Sequence, residues 1–129
     1  MSRAAFETLW HTHPERFDRK RTSLGRHLFS KLAAALPQNL ASLSVADLGC
    51  GKGEISLLCQ SRGATIDAVD IADNALKHLE NQPAINPLRQ ALPHTTLRDQ
   101  HYDIVCCIDL IATLSKKDNR LSLSEIPRI

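Results

Sequence analysis

From Val45 to Gly53 the chain reads Val-Ala-Asp-Leu-Gly-Cys-Gly-Lys-Gly, an apolar strand running straight into three glycines at alternate positions. Gly49 and Gly51 let the backbone approach a ligand with no Cβ in the way. The apolar positions that follow, Ile55, Leu58 and Cys59, share one helical face and predict a helix from Glu54 to about Arg62, closed by Gly63. Such a helix points its unpaired N–H groups back at the glycine turn. A strand, a tight turn and a helix in this order restrict the chain to folds that bind ligands at strand tips.

The rest of the chain repeats the alternation. Thr65–Ile71 predicts a second strand ending at Asp70, and residues 72–81 a second helix. Ile85–Gln90 predicts a third strand, which Pro87 confines to a sheet edge. Tyr102–Leu110 is almost wholly apolar, as expected of a strand buried on both faces. Lys116–Ile126 has helical character with Pro127 disrupting its end. Ahead of the glycine turn, residues 1–17 predict a short helical lead-in anchored by Trp10 and Phe17 and broken at Pro14. Leu24, Leu28, Leu32 and Leu36 then mark one face of a helix over Arg19–Leu36, ended by Pro37. Strands alternating with helices indicate an α/β fold with a parallel sheet and right-handed crossovers. With 129 residues, one domain is expected, divided into a lead-in or lid over 1–42 and a ligand-binding part over 43–129.

Composition narrows the class. Sixteen Lys and Arg against fourteen Asp and Glu leave a charge of +2, too mild to imply nucleic acid or an anionic membrane. Cys50, Cys59, Cys106 and Cys107 show no CxxC or His/Cys ligand spacing, so no metal site is expected and reduced thiols are. No N-terminal signal pattern and no run long enough to span a membrane are seen, and a cytoplasmic location is the expectation.

The acids around the glycines specify the ligand. The spacing is Gly-x-Gly-x-Gly rather than the Gly-x-Gly-x-x-Gly of dinucleotide binders. Asp47, two residues before the first glycine, would repel a pyrophosphate but suits a ligand carrying an ammonium group. Both points disfavour an NAD-binding domain. Asp70 follows Asp47 by one βαβ step, which sets it at the neighbouring strand tip, within reach of ribose hydroxyls. Taken singly, Asp47 reads equally well as a turn residue and Asp70 as a helix cap. Their combination with three glycines favours the binding reading.

This segment resembles motif I of the class I, Rossmann-like S-adenosylmethionine-dependent methyltransferases, and Asp70 falls where that family holds the ribose. The likeness continues through Leu97–Val105, which resembles the family's lead into its fourth strand, and through Cys106–Leu110 and Arg120–Ile129. The resemblance implies a sheet in the order 3-2-1-4, part of a seven-strand methyltransferase sheet, with flanking helices. It implies S-adenosylmethionine as cofactor, with Asp47, Gly49, Cys50, Gly51 and Gly53 around its methionine end. Asp70 would hold the ribose and Ile71 would pack on the adenine. Gln90 stands where the family often has an Asp reaching the adenine amino group, and Asp109 would face the methyl-transfer region.

Strands five to seven of that pattern are not found in this chain, which leaves strand four as an apolar edge. C-terminal truncation is the favoured expectation; a split protein completed by a partner chain and a homodimer pairing strand-four edges are the other two accounts. The function expected is methyl transfer to a small-molecule acceptor, with a non-catalytic remnant or half of a split enzyme as the alternative. Asp109, His11 and His13 are the candidate proton acceptors, the two histidines reading more simply as solvent-exposed residues beside Pro14. No Asn-Pro-Pro-Tyr or Asp-Pro-Pro-Tyr follows strand four, which argues against amino-methylating DNA enzymes. The run Arg16, Arg19, Lys20, Arg21 and Arg26 is a candidate contact for nucleic acid or an acidic substrate but reads more simply as a solvated helix face.

Overall fold

The computed structural model describes residues 2–110 and 113–129. Four parallel strands, β1 (Ser44–Leu48), β2 (Thr65–Asp70), β3 (Ile85–Arg89) and β4 (Ile104–Cys107), form one sheet in the order β3-β2-β1-β4. On β1, Asp47 is in register with Ala68 of β2 on one side and with Cys106 of β4 on the other. Among the described residues five α-helices flank it: α1 (Arg3–Thr12), α2 (Ser23–Ala35), α3 (Glu54–Ser61), α4 (Asp73–Leu76) and α5 (Lys116–Arg128). The strand order and the parallel α/β architecture are those expected from the sequence.

Alternation along β1 assigns its two faces. Val45 turns toward α3, where Leu40, Ile55, Cys59, Ile66 and Leu79 complete one core layer. Ala46 and Leu48 turn the other way and pack with Val69, Leu97 and Ile129, the last delivered by α5. Asp47 has the parity of Val45, so its side chain is carried beneath α3 rather than toward solvent.

Several elements differ from the sequence reading, each for a local reason. The helix expected over residues 19–36 begins only at Ser23. Thr22 caps it by accepting from the Gly25 N–H at 3.0 Å, and Arg19–Arg21 form a separate 3-10 turn. Its leucine ladder is split: Leu32 and Leu36 pack on the core, whereas Leu24 and Leu28 are exposed. The second predicted helix is one turn of α4 followed by a 3-10 turn over Lys77–Leu79, which drives Leu79 fully into the core under Gly53. The strand expected over residues 102–110 pairs only over Ile104–Cys107, and it is half-buried because it lies at the sheet edge. Pro127 does not end α5. It sits in the last turn, where Ile129 still donates to the Glu125 carbonyl, so the missing N–H costs little. Among the described residues no helix is long and apolar enough to cross a membrane.

Candidate functional site

The strand tips and the N-terminal lead-in enclose a cleft of about 850 Å³, a size ordinary for a small-molecule or cofactor site. Its floor is the turn after β1. The Gly49 and Cys50 N–H groups both donate to the Val69 carbonyl, at 2.7 and 3.0 Å, which clamps the turn to the end of β2. Gly53 closes the turn in a left-handed conformation as the residue before α3. A Cβ there would stand 2.2 Å from a Leu79 methyl group, so both backbone angle and space call for glycine.

Asp70 ends β2 at the cleft wall. One carboxylate oxygen accepts from the Gly51 N–H and the other from the Ala72 N–H, both at 2.9 Å. Burial raises its pKa, and these backbone donors partly offset the rise. The carboxylate is thus locked in one orientation with lone pairs left over for further donors. Beside it, the Gln90 N–H donates to the Asp70 carbonyl, while the Gln90 side chain is engaged with Thr96 through its oxygen at 2.9 Å and its nitrogen at 2.6 Å.

Asp47 lies deeper. It is 2% exposed and accepts from the Ser56 hydroxyl at 2.7 Å. Burial pushes its pKa up to about 6; the Ser56 hydrogen bond and the positive charge of Arg19 pull the other way. Burial also raises the pKa of the Cys50 thiol, making it a packing group and not a nucleophile.

The lead-in forms the roof. Trp10 is buried and stacked on Phe17 with centroids 4.2 Å apart, and its ring lies 3.6 Å from where a Gly51 Cβ would be. Glu7 fixes α1 to α4 by accepting from the Asp73 N–H at 2.6 Å and the Asn74 N–H at 3.4 Å. Past β4, Asp109 has a left-handed backbone (φ 58°), a strained conformation that Asp tolerates better than most residues. Its carboxylate accepts from Arg19 Nη1 at 2.5 Å, while Arg19 Nη2 donates to the Ile108 carbonyl at 3.2 Å.

Of the residues singled out by sequence, Gly49, Asp70, Ile71, Gln90 and Asp109 line the cleft together. Asp47, Cys50, Gly51 and Gly53 belong to the turn and its support and are not on the wall. His11 and His13 are exposed and lie outside the lining; His13 Nδ1 is 3.5 Å from a Glu15 oxygen. The basic run is not a plain solvated face, since Arg16, Arg19 and Arg21 all line the cleft. Ser56, Glu7 and the bridging role of Arg19 have no motif that announces them. Only the shared parity of Asp47 with the α3 face hints at Ser56.

Known proteins are similar to this chain in sequence and in fold. Ubiquinone biosynthesis O-methyltransferase of Rickettsia akari is 28% identical over 90 residues, covering 66% of this chain and 36% of that protein. The enzyme of the same name from Nitrosomonas europaea is 35% identical over 80 residues, covering 56% and 33%. The chain thus spans about a third of the length of these curated relatives. In fold it is similar to magnesium protoporphyrin IX methyltransferase from Synechocystis, solved with bound S-adenosylmethionine. The TM-score is 0.73 at 18% identity, over 96% of this chain and 69% of that one. It is also similar to phosphoethanolamine N-methyltransferase 1 of Haemonchus contortus, with a TM-score of 0.78 at 17% identity over 98% and 29%. The family model for the methyltransferase domain matches residues 45–129, from the strand that opens the glycine turn to the last residue of the core. With that match and the sheet order in agreement with it, the chain belongs to the methyltransferase domain family.

Proposed function

We propose that this chain binds S-adenosylmethionine in the cleft and serves methyl transfer to an oxygen of a small-molecule acceptor. The observation that carries the cofactor reading is Asp70, immobilised by Gly51 and Ala72 at the cleft wall and free to accept from a ribose diol. Ile71 and Gln90 then border the adenine, and Gly49, Cys50, Gly51 and Gly53 shape the turn against the methionine end. Asp47, charged beneath that turn, supplies the negative potential that a sulfonium and an ammonium call for. The oxygen acceptor is suggested by the O-methyltransferase relatives.

The cofactor supplies an electrophilic methyl group; the protein's part is alignment and the exclusion of water. Trp10 and Phe17 roof the cleft with apolar surface, and Asp109 stands where an acceptor hydroxyl could hand over its proton. Calorimetric titration with S-adenosylhomocysteine tests the reading directly. The wild type is expected to bind saturably, Asp70→Ala to bind about a hundredfold more weakly or not at all, and NAD to give no heat. A folded wild type that ignores S-adenosylhomocysteine, or prefers NAD, would overturn it.

A further inference from the structure

Of the basic residues between Arg16 and Arg26, Arg19 alone forms an ion pair among the described residues. Its side chain is 22% exposed, against 83% for its partner Asp109. The β1–β4 register pairs Leu48 with Cys107, so Ile108 and Asp109 come level with the glycine turn just beyond the paired strands. The guanidinium therefore rests on a backbone carbonyl and a carboxylate at the mouth of that turn. Two further acids feel its charge: it lowers the pKa of Asp47 and of Glu54, against the burial that raises both. One Glu54 oxygen is buried without any hydrogen-bond partner. A buried or half-buried carboxylate without a counter-charge is costly, and Arg19 is the cation common to Asp47, Glu54 and Asp109, with Lys20 adding its charge at Glu54.

The position is built in. Thr22 and Gly25 seat the Arg19–Arg21 turn against α2, and a Cβ at Gly25 would stand 1.8 Å from the Arg19 carbonyl oxygen. The side chain beyond that anchored backbone is long, flexible and next to solvent, so the guanidinium can leave while its backbone stays.

We propose that Arg19 is a resident counter-ion: in the ligand-free molecule its guanidinium occupies the subsite of the cofactor's ammonium group, and cofactor binding exchanges one cation for the other. This rests on the S-adenosylmethionine reading of the cleft. Two cations cannot share the Ile108 carbonyl and the same carboxylates, because they repel strongly at that separation. Arg19 must swing outward, and the population with Arg19 in place is unavailable to the ligand. A ligand lacking the amino-acid portion has no such competitor.

Titration of wild type and Arg19→Gln with S-adenosylhomocysteine and with methylthioadenosine separates the possibilities. Methylthioadenosine retains the adenosine and the sulfur but has neither ammonium nor carboxylate. With Arg19 seated about nine-tenths of the time, Arg19→Gln tightens S-adenosylhomocysteine about tenfold and leaves methylthioadenosine within about twofold. Unchanged S-adenosylhomocysteine affinity would overturn the exchange. Selective weakening would overturn it too, and would make Arg19 a clamp on the cofactor's carboxylate. Should the variant lose both ligands, side-chain NMR of wild-type Arg19 decides: its guanidinium signals should shift with S-adenosylhomocysteine and stay put with methylthioadenosine, and the same response to both would sink the idea. A wild type that binds neither ligand would remove the cofactor reading itself and the exchange with it, an outcome distinct from the others.

Discussion

Asp47 brings a negative charge into a part of the molecule where water does not reach. Its neighbours on the α3 side are apolar, and the Ser56 hydroxyl is its hydrogen-bond donor there. A pKa pushed up to about 6 means that ionising it at neutral pH costs the folded state roughly 3 kcal/mol relative to an unfolded Asp. An acid kept at such a cost serves a ligand better than it serves the fold. Asp47→Asn, which can still accept from Ser56, is therefore expected to raise the melting temperature by at least about 5 °C at neutral pH and to weaken S-adenosylhomocysteine binding at least about tenfold. Differential scanning and titration calorimetry would show both, and a lowered melting temperature would mean that the charged pair with Ser56 stabilises the fold. At this scale the sequence is informative where chemistry and position coincide, as for Asp70, an acid at a strand end after a glycine turn. It is silent on Arg19, Glu7 and Ser56, whose partners lie in other elements and are set only by how those elements pack.

The turn over Arg19–Arg21 and helix α2 act as one element, joined by a glycine that sequence rules alone would count as a weakness. In a helix, replacing Gly by Ala ordinarily gains up to about 1 kcal/mol. Here the new Cβ would stand 1.8 Å from the Arg19 carbonyl oxygen, and backbone must move to admit it. Gly25→Ala is expected to lose about 1–3 kcal/mol instead, seen as a lower urea midpoint with an unchanged slope. A gain in stability would show that the turn is free to lift off. The same comparison explains what was legible among the elements. Strands β1 and β2 and helix α3 follow from local pattern, because turn residues and apolar periodicity agree. The start of α2 and the shortness of α4 do not, because a cap at Thr22 and the burial of Leu79 override a continuous helical pattern.

Across the whole molecule, two carboxylates respond to pH with opposite signs. Glu125 is held down to about 2, chiefly by its hydrogen bonds from Arg128 and also by one from Thr95, so its contribution is present above the ordinary carboxylate range and fades as pH falls below about 4.5. Asp47 is raised, so the folded state binds its proton more tightly than the unfolded chain does, and stability declines as pH rises from about 4 through 6. The ligand-free protein should be most heat-stable near about pH 4. Asp47→Asn should make the decline on the alkaline side shallower, Asp70 and Glu54 keeping the remainder, and leave the acid side unchanged; a wild type that gains stability between pH 4 and 7 would contradict this. The sheet order was legible at this scale because alternating strands and helices admit few arrangements. The extent of β4 was not, since an apolar run beyond its four paired residues goes to lining the cleft and meeting α5. The roof over the glycine turn has an optical consequence. Trp10 is the chain's single tryptophan, and it is seated on that turn while Tyr102, the single tyrosine, bonds to Asp67 elsewhere in the molecule. Indole emission therefore comes from one spot, and its wavelength records whether the lead-in is seated on the turn or lifted into water.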